Sequence, residues 1–226
     1  MERLDYLIHC LKREGIYVYL DMLTYRRFRS GDGVAAADQI RNAGRPYSNF
    51  DPRLIELQKE FCDQIWNHVN PYTRLAYKDD PAIALTEIAN ENEMFGTIAT
   101  LIEPYRGQLE ERYLAWRQAR GLPPVARPVA FETFDEHAAE FVVGLQKEYF
   151  DGMLSHLRAI GVKIPITGTN WSVGGAGTLA AQRDMPFMDS HTYFYNWGWK
   201  PHEKRVKPES MLGSVDAWYR GLAIMR

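Results

Sequence analysis

Apolar side chains at Leu4, Leu7, Ile8 and Leu11 repeat at the spacing of one helix face, and Gly15 supplies a stop, so the pattern predicts a helix over 3–14. The run 16–23, Ile-Tyr-Val-Tyr-Leu-Asp-Met-Leu, is β-rich and too short for a helix, so it predicts a strand. A polar, glycine-containing loop follows from Thr24 to Phe50. Asp51-Pro52 then reads as the N-cap and first residue of a helix that turns Leu54, Leu57, Phe61, Ile65 and Val69 inward. A second near-continuous apolar strand is predicted at 82–89, one helix near 107–120, and the longest helix from about Asp135 to Ile160, closing at Gly161. A third strand is predicted over 163–168 and a fourth near 186–190, with a flexible glycine-rich loop at 174–177 between them. A final helical segment is predicted from about Pro208.

Strands therefore alternate with helices, and the strands lack the polar alternation of a one-sided sheet. That combination predicts an α/β fold with parallel strands covered by helices. Two parallel architectures compete. A doubly wound nucleotide-binding sheet should open with strand, glycine-rich turn and helix. Here the glycine-rich stretch comes late, after the third strand, with neither that spacing nor the Lys-Ser/Thr of a phosphate loop. A (β/α) barrel places polar residues at the carboxyl ends of its strands. Asp21, Asn90, Glu91, Asn170, Trp171, His191 and Tyr193 fall at such ends. The pattern favours a barrel.

Composition narrows the function. The 226 residues carry 27 Lys+Arg and 29 Asp+Glu, a formal charge of −2, which leaves no basic footprint for nucleic acid or an anionic membrane. No apolar run reaches the ~18 residues of a membrane span, and the first residues do not read as a secretory signal; the chain is expected to be soluble. Two cysteines, Cys10 and Cys62, make neither a disulfide framework nor a zinc site and are expected as buried thiols. His9, His68, His137, His156 and His202 lack metal-ligand spacing, so no metal and no cofactor is expected. Aromatic residues reach 13%, more than a core requires, which suits a cleft that stacks flat ligands.

The strongest chemical signal is 86–93, Thr-Glu-Ile-Ala-Asn-Glu-Asn-Glu. An apolar strand delivers Asn90 and Glu91 together at its carboxyl end. A carboxyl group in a partly desolvated cleft there has its pKa raised toward the working pH and can donate a proton to a leaving oxygen. The adjacent amide can hold a sugar hydroxyl as charge develops on the ring. Alternatively, such residues only solvate the turn or cap the next helix. Glu87, four residues earlier on the strand, lies about 13 Å from Glu91 along it, too far for the 5–5.5 Å carboxyl pair of a retaining glycosidase. Glu93 is expected to turn away. Asp21 either lines the cleft or caps the following loop. Asp189 is expected to point into a barrel layer or at a neighbouring strand. Trp197 and Trp199 are open to either sugar contact or packing.

Glu-Ile-Ala-Asn-Glu at 87–91 resembles the Asn-Glu pair that ends strand four in clan A glycoside hydrolases, the retaining β-glycosidases that include family 5 cellulases and mannanases. His191-Thr192-Tyr193 resembles the His-x-Tyr that ends strand six of that clan. The resemblance implies Glu91 as general acid/base, Asn90 on the sugar 2-OH, Asn170 and Trp171 as a sugar-binding wall, and His191 and Tyr193 in the catalytic subsite. It implies a β-linked oligosaccharide or polysaccharide as partner, with neither nucleic acid nor membrane. By this numbering residues 1–226 form a single incomplete (β/α)8 TIM barrel, from helix 2 through strand 6 and the following helix, with an insertion at about 94–134. The nucleophilic Glu of strand seven has no match. A noncatalytic carbohydrate-binding fragment is the alternative. Open barrel edges, with Leu20, Ile83, Leu85 and Ile166 facing inward, imply self-association of this chain.

Overall fold

The computed structural model describes residues 1–133, 135–170 and 175–189. They form helices α1 (Glu2–Arg13), α2 (Pro52–Trp66), α3 (Tyr105–Ala119), α4 (Glu136–Ala159) and α5 (Gly175–Ala181), and strands β1 (Val18–Leu23), β2 (Ile83–Ala89) and β3 (Ile166–Thr167). The strands make one parallel sheet in the order β1-β2-β3. This is an α/β fold with a small parallel sheet.

Local chemistry sets the helix starts. The Asp51 carboxylate accepts from the Leu54 N–H at 2.9 Å, and Asp135 accepts from the Ala138 N–H at 2.7 Å, each satisfying a first-turn donor that has no intrahelical partner. Asp51→Ala should therefore cost about 1 kcal/mol of stability, read as a lower urea midpoint at unchanged slope; an unchanged midpoint would mean that the cap contributes nothing.

The register fixes the two faces of the sheet. Tyr19 pairs with Leu85, Leu20 with Thr86, Asp21 with Glu87, and Glu87 with Thr167. Leu20, Met22, Ile88 and Ile166 join Tyr149, Phe150, Met153 and Leu157 of α4, and Cys62, Ile65 and Trp66 of α2, in one buried cluster. Side chains alternate along a strand, so Tyr19, Asp21 and Glu87 lie on the opposite face. Both faces are covered there, as expected of strands without the polar alternation of a one-sided sheet: Thr86, Glu87, Ile88 and Ala89 of β2 and both residues of β3 are all buried. Leu20 and Ile166, paired in one row through Thr86, depart from the inward placement expected of them, since they share the face of Met22 and Ile88 that packs on the helices.

A second cluster joins Phe28, Tyr47 and Phe50 of the loop after β1, Leu54 and Leu57 of α2, Met94 and Ile98 of the stretch after β2, Tyr105, Leu109 and Tyr113 of α3, and Phe141 and Leu145 of α4. The segment between β2 and α4 and the long loop after β1 are therefore packed on the fold through their own core. Gly177 of α5 meets the Phe95 ring so closely that a Cβ would overlap it.

Several expectations need correction. Gly175 opens α5, so the expected glycine-rich loop is helical from there. α2 ends at Trp66, and Val69 is exposed in an isolated bridge to Ala76; the periodicity had been extended one turn too far. The third strand shrinks to Ile166–Thr167, as Pro165 has no N–H to give a ladder. Residues 186–189 form no strand; they follow a turn closed by the Met185 N–H to the Gln182 carbonyl, and Pro186 cannot donate. Cys62 is buried as expected, and burial pushes its thiol up to about 12, but Cys10 is only half-buried.

Candidate active site

β2 ends at Ala89, whose N–H reaches the Gly168 carbonyl on one side, while the Asn90 N–H reaches the Leu23 carbonyl on the other. The site therefore begins where the ladder stops. Asn90 and Glu91 form the turn that follows, and both are half-buried. Glu91 has φ 49°, in the left-handed region that a side chain with a Cβ enters at a cost of roughly 1–3 kcal/mol.

Polar partners from two directions hold that conformation. Asn170, just past β3 and 1% exposed, accepts from the Glu91 N–H through Oδ1 at 3.1 Å. Its Nδ2 donates to Asn90 Oδ1 at 2.7 Å and to Glu87 Oε2 at 2.9 Å. From the loop after β1, Arg45 Nη1 donates to the Asn90 carbonyl at 2.6 Å and the Glu91 carbonyl at 3.2 Å, and lies 3.5 Å from Glu91 Oε2. One residue on, the Asn92 N–H donates to Thr169 Oγ1, and the buried Asn92 side chain bonds Ser48 and Asn49. The Asn90–Glu91 turn is tied to both flanking segments.

Behind the turn, acidic side chains gather around one buried carboxyl. Glu87 is fully buried, and its carboxyl is pushed up to about 9, first by burial and then by the negative charge of Asp21, with Asp189 adding to the effect and hydrogen bonding from Asn170 opposing it. Asp21, paired in register with Glu87, lies beside it on the same face of the sheet. Tyr19, on the same face, donates to Asp189 Oδ2 at 3.0 Å and packs edge-on to Phe187. Glu93 turns away as expected: its Oε2 accepts from the Gly96 N–H at 2.9 Å, and burial raises its pKa.

Of the residues singled out from the sequence, Asn90, Glu91 and Asn170 come together. Trp171, His191 and Tyr193 lie outside the described residues, as do Trp197 and Trp199. Sequence reasoning missed Arg45, which reaches across from a polar loop with no motif of its own. It also missed Glu87 as part of the site, since that residue fails the distance required of a nucleophile; a carboxylate inside an apolar strand is the signal that marks it. Among the described residues no group of three His, Cys, Asp or Glu could hold a metal ion, and no helix is long and apolar enough to cross a membrane. A cavity of about 360 Å³ between the end of β1 and α2 is lined by Met22, Leu23, Tyr25, Phe28, Ser48 and Gln58.

No family model matches the chain. Over 94 residues it is 33% identical to mannan endo-1,4-beta-mannosidase 7 of Arabidopsis thaliana, a stretch that covers 39% of this chain and 21% of that protein. The chain thus spans about a fifth of the curated relative it matches. Among solved structures, the endo-beta-1,4-mannanase from Thermotoga petrophila is matched over 73% of this chain and 44% of that one, at 16% identity and a TM-score of 0.33. The sequence match relates part of the chain to a glycoside hydrolase.

Proposed function

We propose that the chain carries the acid/base half of a retaining glycosidase site, on part of a (β/α)8 barrel, acting on β-1,4-linked mannan-type polysaccharide. One observation carries this reading. The Asn90–Glu91 pair at the carboxyl end of a parallel strand occupies a strained turn held by Arg45 on one side and Asn170 on the other. A turn needed only for solubility has no use for a left-handed glutamate with this many buried partners. Similarity to a mannan endo-1,4-beta-mannosidase supports the substrate class.

In this mechanism protonated Glu91 gives its proton to the glycosidic oxygen as the bond to the anomeric carbon breaks, and Asn90 holds the sugar 2-OH. A second carboxylate attacks the anomeric carbon to form a glycosyl-enzyme. Glu91, now ionised, then deprotonates the water that releases it. The reading assigns the attacking carboxylate to a Glu ending a seventh barrel strand, which none of the strands described here is. Glu87, Glu93 and Asp189 are each engaged elsewhere, with Asn170, Gly96 and Tyr19. Trp171, His191 and Tyr193 keep their sugar-facing roles in the proposal.

The test is reducing-sugar release from β-1,4-mannan by a polypeptide that holds residues 1–226 within a closed barrel. Cleavage of mannan ahead of cellulose is expected; absence of both cleavage and mannan binding overturns the proposal. Residues 1–226 alone are expected to self-associate through the outer edges of β1 and β3 and to show no hydrolysis. A monomer in sedimentation velocity with robust turnover would refute both expectations.

A further inference from the structure

We propose that Asn170 and Glu87 are positioning residues, with Glu87 anchoring the Asn170 amide so that this amide holds the Asn90 side chain and the Glu91 backbone in place. The inference deepens the glycosidase reading and reassigns Asn170, which the sequence placed on the sugar. Its geometry argues against sugar contact. A primary amide has two N–H donors and one carbonyl acceptor. In Asn170 the two donors have Glu87 Oε2 and Asn90 Oδ1 as acceptors, and the carbonyl takes the Glu91 N–H. At 1% exposure this side chain has little surface to offer a ligand.

Each bond has a distinct consequence. The bond to Asn90 Oδ1 fixes which way the Asn90 amide faces. The bond from the Glu91 N–H stabilises a backbone conformation that would otherwise relax, and with it the direction of the Glu91 side chain. Glu87 is the far anchor. It lies on the strand itself, fully buried, and is paired in register with Asp21 and Thr167 on the two neighbouring strands. The acid/base pair is thereby set by the rigid sheet rather than by a loop alone, and small errors in such placement can cost ~10²-fold in rate.

The experiment compares Asn170→Ala, Glu87→Ala and Glu87→Gln by 15N NMR and by kinetics. In Asn170→Ala, hydrogen exchange at the Glu91 N–H should rise at least ~10-fold, with the Asn90 side-chain NH2 signals shifted. Glu87→Ala should reproduce both changes. Glu87→Gln keeps an oxygen acceptor for Asn170 and should restore wild-type exchange and Asn90 signals. Should Glu87→Ala fail to fold, Glu87→Asp, one methylene short of Asn170, replaces it and should show the same changes in smaller measure. In the closed barrel, kcat should fall with KM unchanged. Unaltered Glu91 exchange and Asn90 signals in folded Asn170→Ala or Glu87→Ala would overturn the proposal, as would a raised KM at constant kcat, the signature of sugar contact. The NMR arm needs no activity, so it stands or falls separately from the glycosidase reading.

Discussion

Glu91→Gln should lower the rate of β-mannan cleavage by about 10²–10⁴-fold in a polypeptide containing the whole barrel. The amide keeps the shape of the side chain, so the backbone bonds from Arg45 to the Glu91 carbonyl and from the Glu91 N–H to Asn170 survive, and the loss reports on proton transfer rather than folding. The defect should depend on the leaving group. A mannoside with a dinitrophenolate leaving group needs no protonation to depart, so its first step should be nearly unaffected while breakdown of the glycosyl-enzyme, which needs a base, becomes slow. A burst of phenolate followed by a slow steady state is the expected trace. Full activity of the glutamine variant on unactivated mannan would remove Glu91 from the chemistry.

The second large effect is on stability against pH. Burial and the charge of Asp21 raise Glu87 to about 9, whereas an unfolded glutamate titrates near 4.5. Between those values the folded protein holds a proton that the unfolded chain has released. Stability therefore falls as pH rises through this window, by up to about 1.4 kcal/mol per pH unit, and is greatest below the unfolded value. Glu93, also raised, acts in the same direction. The carboxyls of Asp80, Glu110 and Asp184 are held low and act in the opposite sense, but only at acid pH. Glu87→Gln, neutral at every pH, should flatten the slope above pH 5 and be more stable than wild type at pH 8. Urea denaturation at pH 5, 6, 7 and 8 measures this directly. An identical slope in the variant would mean that Glu87 is not the group that titrates.

How much of this was legible in the sequence depended on the range of the interaction. Helix starts rest on contacts three residues apart, so Asp51 and Asp135 announced α2 and α4 to within a residue. β2, a continuous apolar run, was equally plain. Where the outcome depended on distant partners, the sequence misled. Residues 186–189 look like a strand, yet their described contacts are with Tyr19 through Phe187 and Asp189. The glycine-rich stretch 174–177 reads as a loop, yet helix α5 begins at Gly175 and packs on α4 and Phe95. The candidate site divided the same way. Asn90 and Glu91 are adjacent in the chain and could be read together, and the resemblance supplied Asn170. The bonds that make a site of them span about 45 residues to Arg45 and 80 to Asn170, and no local pattern encodes them.

The central claim, that Glu91 is the acid/base of a retaining site, is tested most directly by azide trapping in Glu91→Ala. With the carboxylate gone, azide can enter the space it leaves and attack the glycosyl-enzyme without needing a base. The account predicts that azide restores turnover of a dinitrophenyl β-mannoside and that 1H NMR of the product shows a β-mannosyl azide. Turnover of unactivated mannan by Glu91→Ala at the wild-type rate, with no azide product, would contradict it.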